Sequence, residues 1–205
     1  MFRDKKNCEN SYYLPEPEPF RTIRESCPYN LKKMQMSYDE CRILTVMLKM
    51  IKAEKVLELG TLVGCSTAWI AHSLCGNQPL VVSVEKSINH YNMAKANIEA
   101  AGLDKIVYLI NSDAINVLES YVGQAQFDAI FIDAKKIEYG RYLSLAKNCV
   151  RSGGLIIADN TLMAEAELGE IATEIRKFNH MVENDPDLMS VILPTVAGMT
   201  VMIRR

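Results

Sequence analysis

Two short stretches, AQFDAIFIDAKKIEY (residues 125–139) and GGLIIADNTL (residues 153–162), decide the fold of this chain. Each contains a run of apolar, largely β-branched residues that ends on acidic or amide side chains, which is typical of buried strands in a parallel sheet. Ligands of such sheets bind at the carboxyl ends of the strands. We therefore expect Asp133, which ends the first run, to lie beside Asp159 and Asn160, which end the second.

The side chains that end these two strands carry oxygen donors, which suit Mg²⁺, Ca²⁺ or Mn²⁺ better than zinc. Asp133, Asp159 and Asn160 are thus a candidate site for a divalent cation, with Lys136 nearby in the sequence. Any one of them could instead cap the helix that follows its strand. The expected convergence of all three, together with a glycine loop earlier in the chain, favours the cation site.

The rest of the chain alternates between strand-like and helix-like segments. Strand patterns occupy residues 56–60, 80–85, 105–110, 127–133 and 155–159, and helical patterns lie between them at about 64–75, 87–101, 112–122 and 136–150. Five such units in series predict a doubly wound α/β fold, with a parallel sheet and helices on both faces. A helical stretch at about 163–184 precedes two runs, 187–195 and 198–205, that could pair as an antiparallel hairpin.

We expect residues 1–205 to form a single domain, because a chain of 205 residues has the length of one domain. Residues 1–37 contain the proline-rich LPEPEPF segment and are interpreted as an N-terminal arm, with one short helix at about 20–26, that covers the active site. Tyr12, Tyr13 and Phe20 of this arm could contact an aromatic substrate or simply anchor the arm.

Composition and charge argue against several classes of protein. The formal net charge is −2 without a basic stripe, so nucleic acid is not expected as a partner. No apolar run approaches the ~20 residues that cross a membrane, and the N-terminus lacks the apolar core of a signal peptide. The six cysteines form no CxxC pair, and a chain of this size does not depend on disulfides. We therefore expect a cytoplasmic protein that binds neither nucleic acid nor membrane.

A strand, a glycine turn and a helix in KVLELGTLVGCSTAWIA (residues 55–71) predict a cofactor loop, although it does not match the GxGxxG dinucleotide pattern. Glu85 ends the second strand, where an acidic residue can accept the ribose hydroxyls of a nucleoside. Asp113 and Ala114 follow the third strand, where an adenine ring could be contacted. Glu58 lies inside the first strand and needs a cationic or hydrogen-bonding partner. The amino group of S-adenosylmethionine would be one.

Together these motifs resemble the class I S-adenosylmethionine-dependent O-methyltransferases, specifically the cation-dependent family of catechol and caffeoyl-CoA O-methyltransferases. The resemblance extends from about residue 12 to residue 205 and rests on LELGTLVGCS, the acidic end at Glu85, IDAKKIEY and the ADN triplet. It implies a Rossmann-like methyltransferase fold, with a mostly parallel seven-stranded sheet and a C-terminal antiparallel hairpin. It also implies a homodimer.

The resemblance further implies the roles of individual residues. The implied cofactor pocket contains Met34, Met36, Glu58, Gly60, Ser66, Glu85, Asp113, Ala114 and Asp133. The implied metal ligands are Asp133, Asp159 and Asn160, and the implied catalytic residues are Lys136, as the base, and Asp133. The chain departs from common family residues at Cys41, Lys135 and Ala197, which leaves the methyl acceptor open.

The implied reaction is methyl transfer to a hydroxyl of a catechol-like or hydroxycinnamoyl-type aromatic diol. A divalent cation could chelate both oxygens of such a diol, while Lys136 accepts the proton. One alternative is an NAD-dependent dehydrogenase on a similar sheet, against which the missing third glycine counts. Another is a non-catalytic adenosylmethionine-binding module, against which the intact set of candidate metal ligands counts.

Overall fold

The computed structural model describes residues 15–163 and 169–205 of the chain. The α-helices in these ranges are α1 (Phe20–Glu25), α2 (Tyr38–Met50), α3 (Cys65–Ser73), α4 (Ile88–Ala100), α5 (Ala114–Tyr121), α6 (Tyr139–Ala146) and α7 (Glu170–Glu183). The strands are β1 (Lys55–Leu59), β2 (Leu80–Glu85), β3 (Val107–Asn111), β4 (Phe127–Ile132), β5 (Val150–Asp159), β6 (Leu188–Leu193) and β7 (Met199–Arg204). Within the described ranges, no helix combines the length and the apolar character that a membrane span needs.

The strands form one seven-stranded sheet in the order β3-β2-β1-β4-β5-β7-β6. Strands β1 to β5 pair in parallel, whereas β7 is antiparallel to both β5 and β6. The strand order reverses direction between β1 and β4, which creates the crevice where doubly wound sheets bind ligands. The predicted doubly wound, mostly parallel sheet with a C-terminal antiparallel hairpin is therefore confirmed.

Each face of the sheet buries its own apolar core, because successive strand side chains point to opposite faces. Leu57 of β1 packs into a cluster that includes Leu118 of α5 and Phe178 of α7. The neighbouring Val56 belongs to the opposite cluster, which includes Leu44 of α2 and residues of α1, α3 and α4. Burial on both faces explains why these strands read as continuous apolar runs in the sequence.

The largest difference from the predicted elements lies between α6 and β5. The predicted helix over 136–150 is a 3-10 turn (Lys136–Glu138) followed by α6, which ends at Ala146. Strand β5 then begins at Val150 rather than at 155, and its register against β4 shifts around the Gly153–Gly154 pair. Gly153 has φ +71°, a backbone conformation that favours glycine, so this glycine pair lets one long strand continue through a bulge.

The N-terminal arm contains the predicted short helix, α1, and an unpredicted 3-10 helix (Tyr29–Met34). Phe20 is buried and stacks on Trp69 of α3 with ring centroids 4.1 Å apart, so it anchors the arm. The indole Nε1 of Trp69 donates a hydrogen bond to Glu16 Oε1 at 2.9 Å, which adds a polar tie. Tyr12 and Tyr13 lie outside the described residues.

Candidate active site

A cavity of about 760 Å³ lies at the carboxyl ends of the parallel strands, next to the point where the strand order reverses. Its wall brings together almost all of the residues that the sequence predicts for the cofactor and cation sites. These are Met34, Met36, Gly60, Ser66, Glu85, Asp113, Ala114, Asp133, Lys136, Asp159 and Asn160. The sequence segments that carry them are far apart, and the sheet order is what makes them neighbours.

Gly60, at the end of β1, is required by the close approach of two strand ends. It has φ +100°, and a Cβ at this position would overlap the carbonyl oxygen of Asp133, which follows β4. The sequence predicts a glycine here so that a ligand can approach the backbone closely. The structure shows a second need for glycine, because the backbone at the end of β4 also approaches closely. This contact places Asp133 beside the cofactor loop.

Glu58 is fully buried and does not line the cavity. Its Oε2 accepts hydrogen bonds from Ser83 Oγ at 2.6 Å and from Thr67 Oγ1, and the hydroxyl of Ser66 also interacts with this carboxyl group. Burial raises the pKa of Glu58 to about 7, and the surrounding hydroxyls oppose that rise. Ser66, unlike Glu58, lines the cavity.

The carboxylate of Glu85 is fixed in orientation by two backbone donors. Its Oε2 accepts from Leu62 N at 2.9 Å, in the cofactor loop, and its Oε1 accepts from Ser87 N at 2.8 Å. Each carboxylate oxygen has further lone-pair capacity, so both can still accept hydroxyl hydrogens of a ribose. The geometry suits the nucleoside contact predicted for this strand end.

Asp113 lines the cavity and also caps the start of α5. Its Oδ1 accepts from Ile115 N at 3.0 Å at the start of α5, and its Oδ2 pairs with Lys86 Nζ at 2.8 Å. The Lys86 hydrogen bond and the backbone donor lower the pKa of Asp113, so this carboxylate is ionised at neutral pH. Ala114 follows it in the cavity wall.

Asp133 and Asp159 meet because β4 and β5 are adjacent parallel strands. Asp133 Oδ1 pairs with Lys136 Nζ at 2.6 Å, and Asp159 is only 2% exposed. Burial raises the pKa of both carboxyls, and for Asp159, where the charge of Asp133 adds to the effect, the pKa reaches about 8. Ionisation of both carboxyls is therefore unfavourable in this site, and a bound cation would offset that cost.

The candidate metal ligands fit a hard divalent cation by their chemistry, since they are two carboxylates and one amide. No group of three histidine, cysteine, aspartate or glutamate side chains in the described ranges could hold a metal ion. Asn160 has φ +62°, a left-handed conformation that asparagine tolerates, and its loop is held by Thr161 N donating to Gly198 O at 3.0 Å. The main chain thus keeps Asn160 next to Asp159 at the cavity wall.

The two adjacent lysines have different surroundings. The side chain of Lys136 is 16% exposed, pairs with Asp133 and lies 5.2 Å from the centre of the Tyr139 ring. The side chain of Lys135 is 55% exposed and pairs with Glu138 at 2.9 Å. Tyr139 is fully buried and donates to the carbonyl of Asp159 at 3.0 Å, so it packs behind the site. These surroundings favour Lys136 as the lysine of the site.

Sequence reasoning missed Glu40 of α2, a charged residue of the cavity wall that is only 5% exposed. Its only signal was the Ser37-x-x-Glu40 spacing, which predicts a capping box at a helix start and says nothing about a ligand site. The capping box is present in the structure.

The sheet order and the cavity at its switch point define a Rossmann-like fold with a ligand site at the carboxyl ends of its strands. Residues 9–205 match the family model described as O-methyltransferase, and the chain belongs to this family. The resemblance inferred from the motifs is thereby confirmed, and the family is not that of the NAD-dependent dehydrogenases.

Named relatives agree with this assignment. The chain is 35% identical over 170 residues to a catechol O-methyltransferase of Niastella koreensis, covering 80% of this chain and 76% of the relative. It is 29% identical to caffeoyl-CoA O-methyltransferase 1 of Eucalyptus globulus, covering 96% and 85% of the two chains. The structure of the O-methyltransferase from Bacillus cereus in complex with SAH superposes with a TM-score of 0.83 at 26% identity, covering 94% and 93% of the two chains.

Proposed function

We propose that this O-methyltransferase transfers the methyl group of S-adenosylmethionine to a hydroxyl of a catechol-like or hydroxycinnamoyl-type aromatic diol, with the help of a divalent cation. One observation carries the proposal: the candidate metal ligands Asp133, Asp159 and Asn160 line the same cavity as Lys136 and Glu85. The relatives named for catechol and caffeoyl-CoA support the acceptor class. The Bacillus cereus relative, solved with SAH, supports the cofactor.

In this proposal the cofactor lies along the β1 and β2 end of the cavity. Glu85 accepts the ribose hydroxyls, and Asp113 and Ala114 contact the adenine ring. Ser66 and Gly60 lie on the side of the amino-acid portion, with Glu58 behind Ser66 as the buried negative charge that favours an ammonium group. Met36 is buried and Met34 is exposed in the segment before α2, where they would cover the cofactor.

The acceptor lies on the β4 and β5 side, where the proton of its hydroxyl must be removed. A free phenol has a pKa near 10 and is therefore a poor nucleophile at neutral pH. When bound, the cation (Mg²⁺, or alternatively Ca²⁺ or Mn²⁺) supplies positive charge that stabilises the phenolate. Lys136 Nζ accepts the hydroxyl proton, and Asp133 keeps the amine in place.

Methyl transfer then forms one oxygen–carbon bond and breaks the sulfur–carbon bond of the sulfonium, which leaves as a neutral thioether. The chain contributes mainly orientation, because both reactants occupy one cavity and the two strand ends hold them in line. We also propose a cytoplasmic location and a homodimer, which the composition and the family resemblance respectively support.

A comparison of paired acceptors tests this function. The purified protein would be incubated with S-adenosylmethionine, Mg²⁺ and catechols, flavonoids or hydroxycinnamoyl-CoA esters, each beside its analogue that lacks one of the two adjacent hydroxyls. We expect methylation of at least one diol and little of its analogue, because chelation needs both oxygens. Equal rates for both members of a pair would contradict chelation. If no acceptor is methylated although S-adenosylmethionine binds, a non-catalytic binding module is the better description.

A further inference from the structure

Glu40 is a buried carboxylate in the cavity wall that the proposed mechanism does not use. It is the third residue of α2, and its Oε2 accepts hydrogen bonds from Ser37 N at 2.9 Å and from Ser37 Oγ at 2.8 Å. The other oxygen, Oε1, is buried and has no hydrogen-bond partner among the described residues. Helix capping therefore accounts for one oxygen of this carboxylate and leaves the other unexplained.

A buried carboxylate oxygen without a donor loses its hydration and gains nothing in return, so a partner from outside the chain is expected. The same wall contains Asp133 and Asp159. A ligand held by the strand-end carboxylates therefore lies in the cavity that Glu40 also lines. Lys136 already pairs with Asp133, which leaves the oxygen of Glu40 available.

We propose that Oε1 of Glu40 accepts a hydrogen bond from a water bound to the divalent cation, and so joins the start of α2 to the cation site. This inference rests on the proposed cation dependence. Residues 33–37 directly precede α2 and line the same cavity, with Met34 and Met36 among them. A cation that holds Glu40 also holds this segment over the cofactor, so cation and cofactor should strengthen each other's binding.

Isothermal titration calorimetry with Mn²⁺ as the probe, with and without S-adenosylhomocysteine, tests this role without an activity assay. Glu40→Gln is the informative variant, because glutamine at this position also completes a capping box while it removes the charge. We expect this variant to bind Mn²⁺ with an affinity at least about tenfold lower, as for a lost charged contact. It should also lose most of the increase in Mn²⁺ affinity that S-adenosylhomocysteine causes in the wild type. Asp39→Asn removes the same charge from the adjacent residue, which does not line the cavity, and should change neither quantity.

The outcome for Asp159→Ala separates this inference from the proposed function. If Asp159→Ala loses Mn²⁺ binding while Glu40→Gln binds as the wild type does, the role of Glu40 is overturned and the cation site stands. If the wild type does not bind Mn²⁺, or Asp159→Ala binds it equally well, both are overturned. Should circular dichroism show that Glu40→Gln is unfolded, Glu40→Asp, which keeps the charge but withdraws its oxygens, takes its place with the same expectations.

Discussion

Asp159 is the residue whose ionisation should respond most to a bound cation. Burial, together with the charges of Asp133 and Glu40, raises its pKa to about 8, so without a cation it is mainly protonated at pH 7. A cation binds the ionised carboxylate, so binding at pH 7 should release up to about one proton, and fewer at pH 9. Calorimetry of Mn²⁺ binding in buffers of different ionisation enthalpy measures this release. A binding enthalpy that is independent of the buffer at pH 7 would contradict the assignment.

The two adjacent lysines provide a matched pair of substitutions. Lys136→Ala should lower kcat by about 10²–10⁴-fold, the usual effect of losing a positioned acid–base group, while S-adenosylmethionine still binds. Lys135→Ala should have a small effect, because Lys135 is mostly exposed and pairs with Glu138 instead of Asp133. The comparison uses steady-state rates from pH 6 to 10 with a catechol acceptor. Loss of activity in Lys135→Ala alone would show that the roles are exchanged.

Glu85 offers a test of the cofactor end of the cavity. Glu85→Ala should weaken S-adenosylmethionine binding by roughly 1.5–3 kcal/mol, the range for lost hydrogen bonds to a charged group. Part of this loss comes from the loop, because Glu85 also accepts from Leu62 N and Ser87 N. Glu85→Gln keeps one acceptor oxygen and should lose less affinity. Unchanged affinity of Glu85→Ala in calorimetry would remove Glu85 from the cofactor site.

Single residues were predictable from the sequence where a strand pattern places them at a strand end. Asp133, Asp159 and Glu85 follow this rule, and all three line the cavity. Glu58 and Glu40 do not, because their contacts depend on which way a side chain turns inside the packed structure. Glu58 is surrounded by hydroxyls of α3 and β2, and Glu40 reaches the cavity from the start of α2. No spacing in the sequence indicates either arrangement.

At the scale of elements, the site depends on the contact between the ends of β1 and β4. Gly60→Ala should disturb this contact in two ways. Alanine is strained at a φ of +100°, and its Cβ would overlap the carbonyl oxygen of Asp133. Gly102 has φ +68° and faces open space where a Cβ would lie, so Gly102→Ala has only the backbone cost, about 1–2 kcal/mol.

Urea unfolding and Mn²⁺ titration of the two glycine variants separate these effects. Gly60→Ala should lose more stability than Gly102→Ala and should also bind Mn²⁺ more weakly, because Asp133 is displaced. Equal losses of stability, with Mn²⁺ binding unchanged in both, would show that the contact between the two strand ends does not position the site.

The elements themselves were largely predictable because apolar periodicity differs between strands and helices. The early start of β5 was not, since the Gly153–Gly154 pair interrupts the apolar run that marks a strand. The 3-10 helix (Tyr29–Met34) has no buried residue and hence no apolar pattern to reveal it.

At the scale of the whole molecule, the cavity is assembled by strand order. Placing β1 between β2 and β4 brings the cofactor loop next to Glu85 on one side and Asp133 on the other. Alternating strand and helix patterns predict a doubly wound sheet, the two C-terminal runs predict the terminal hairpin, and the family resemblance supplied the count of seven strands. The seating of the arm and of α2 could not be predicted, because it depends on tertiary contacts such as Phe20 on Trp69.

The central claim is that methyl transfer depends on a cation held by the β4 and β5 strand ends. The direct measurement is the rate of methyl transfer from S-adenosylmethionine to an accepted diol, titrated with Mg²⁺ after treatment with EDTA, for the wild type and for Asp159→Ala. We predict that the wild type is inactive in EDTA and recovers with Mg²⁺, and that Asp159→Ala stays inactive at every Mg²⁺ concentration while it still folds and binds S-adenosylmethionine. Full wild-type activity in EDTA would contradict the claim.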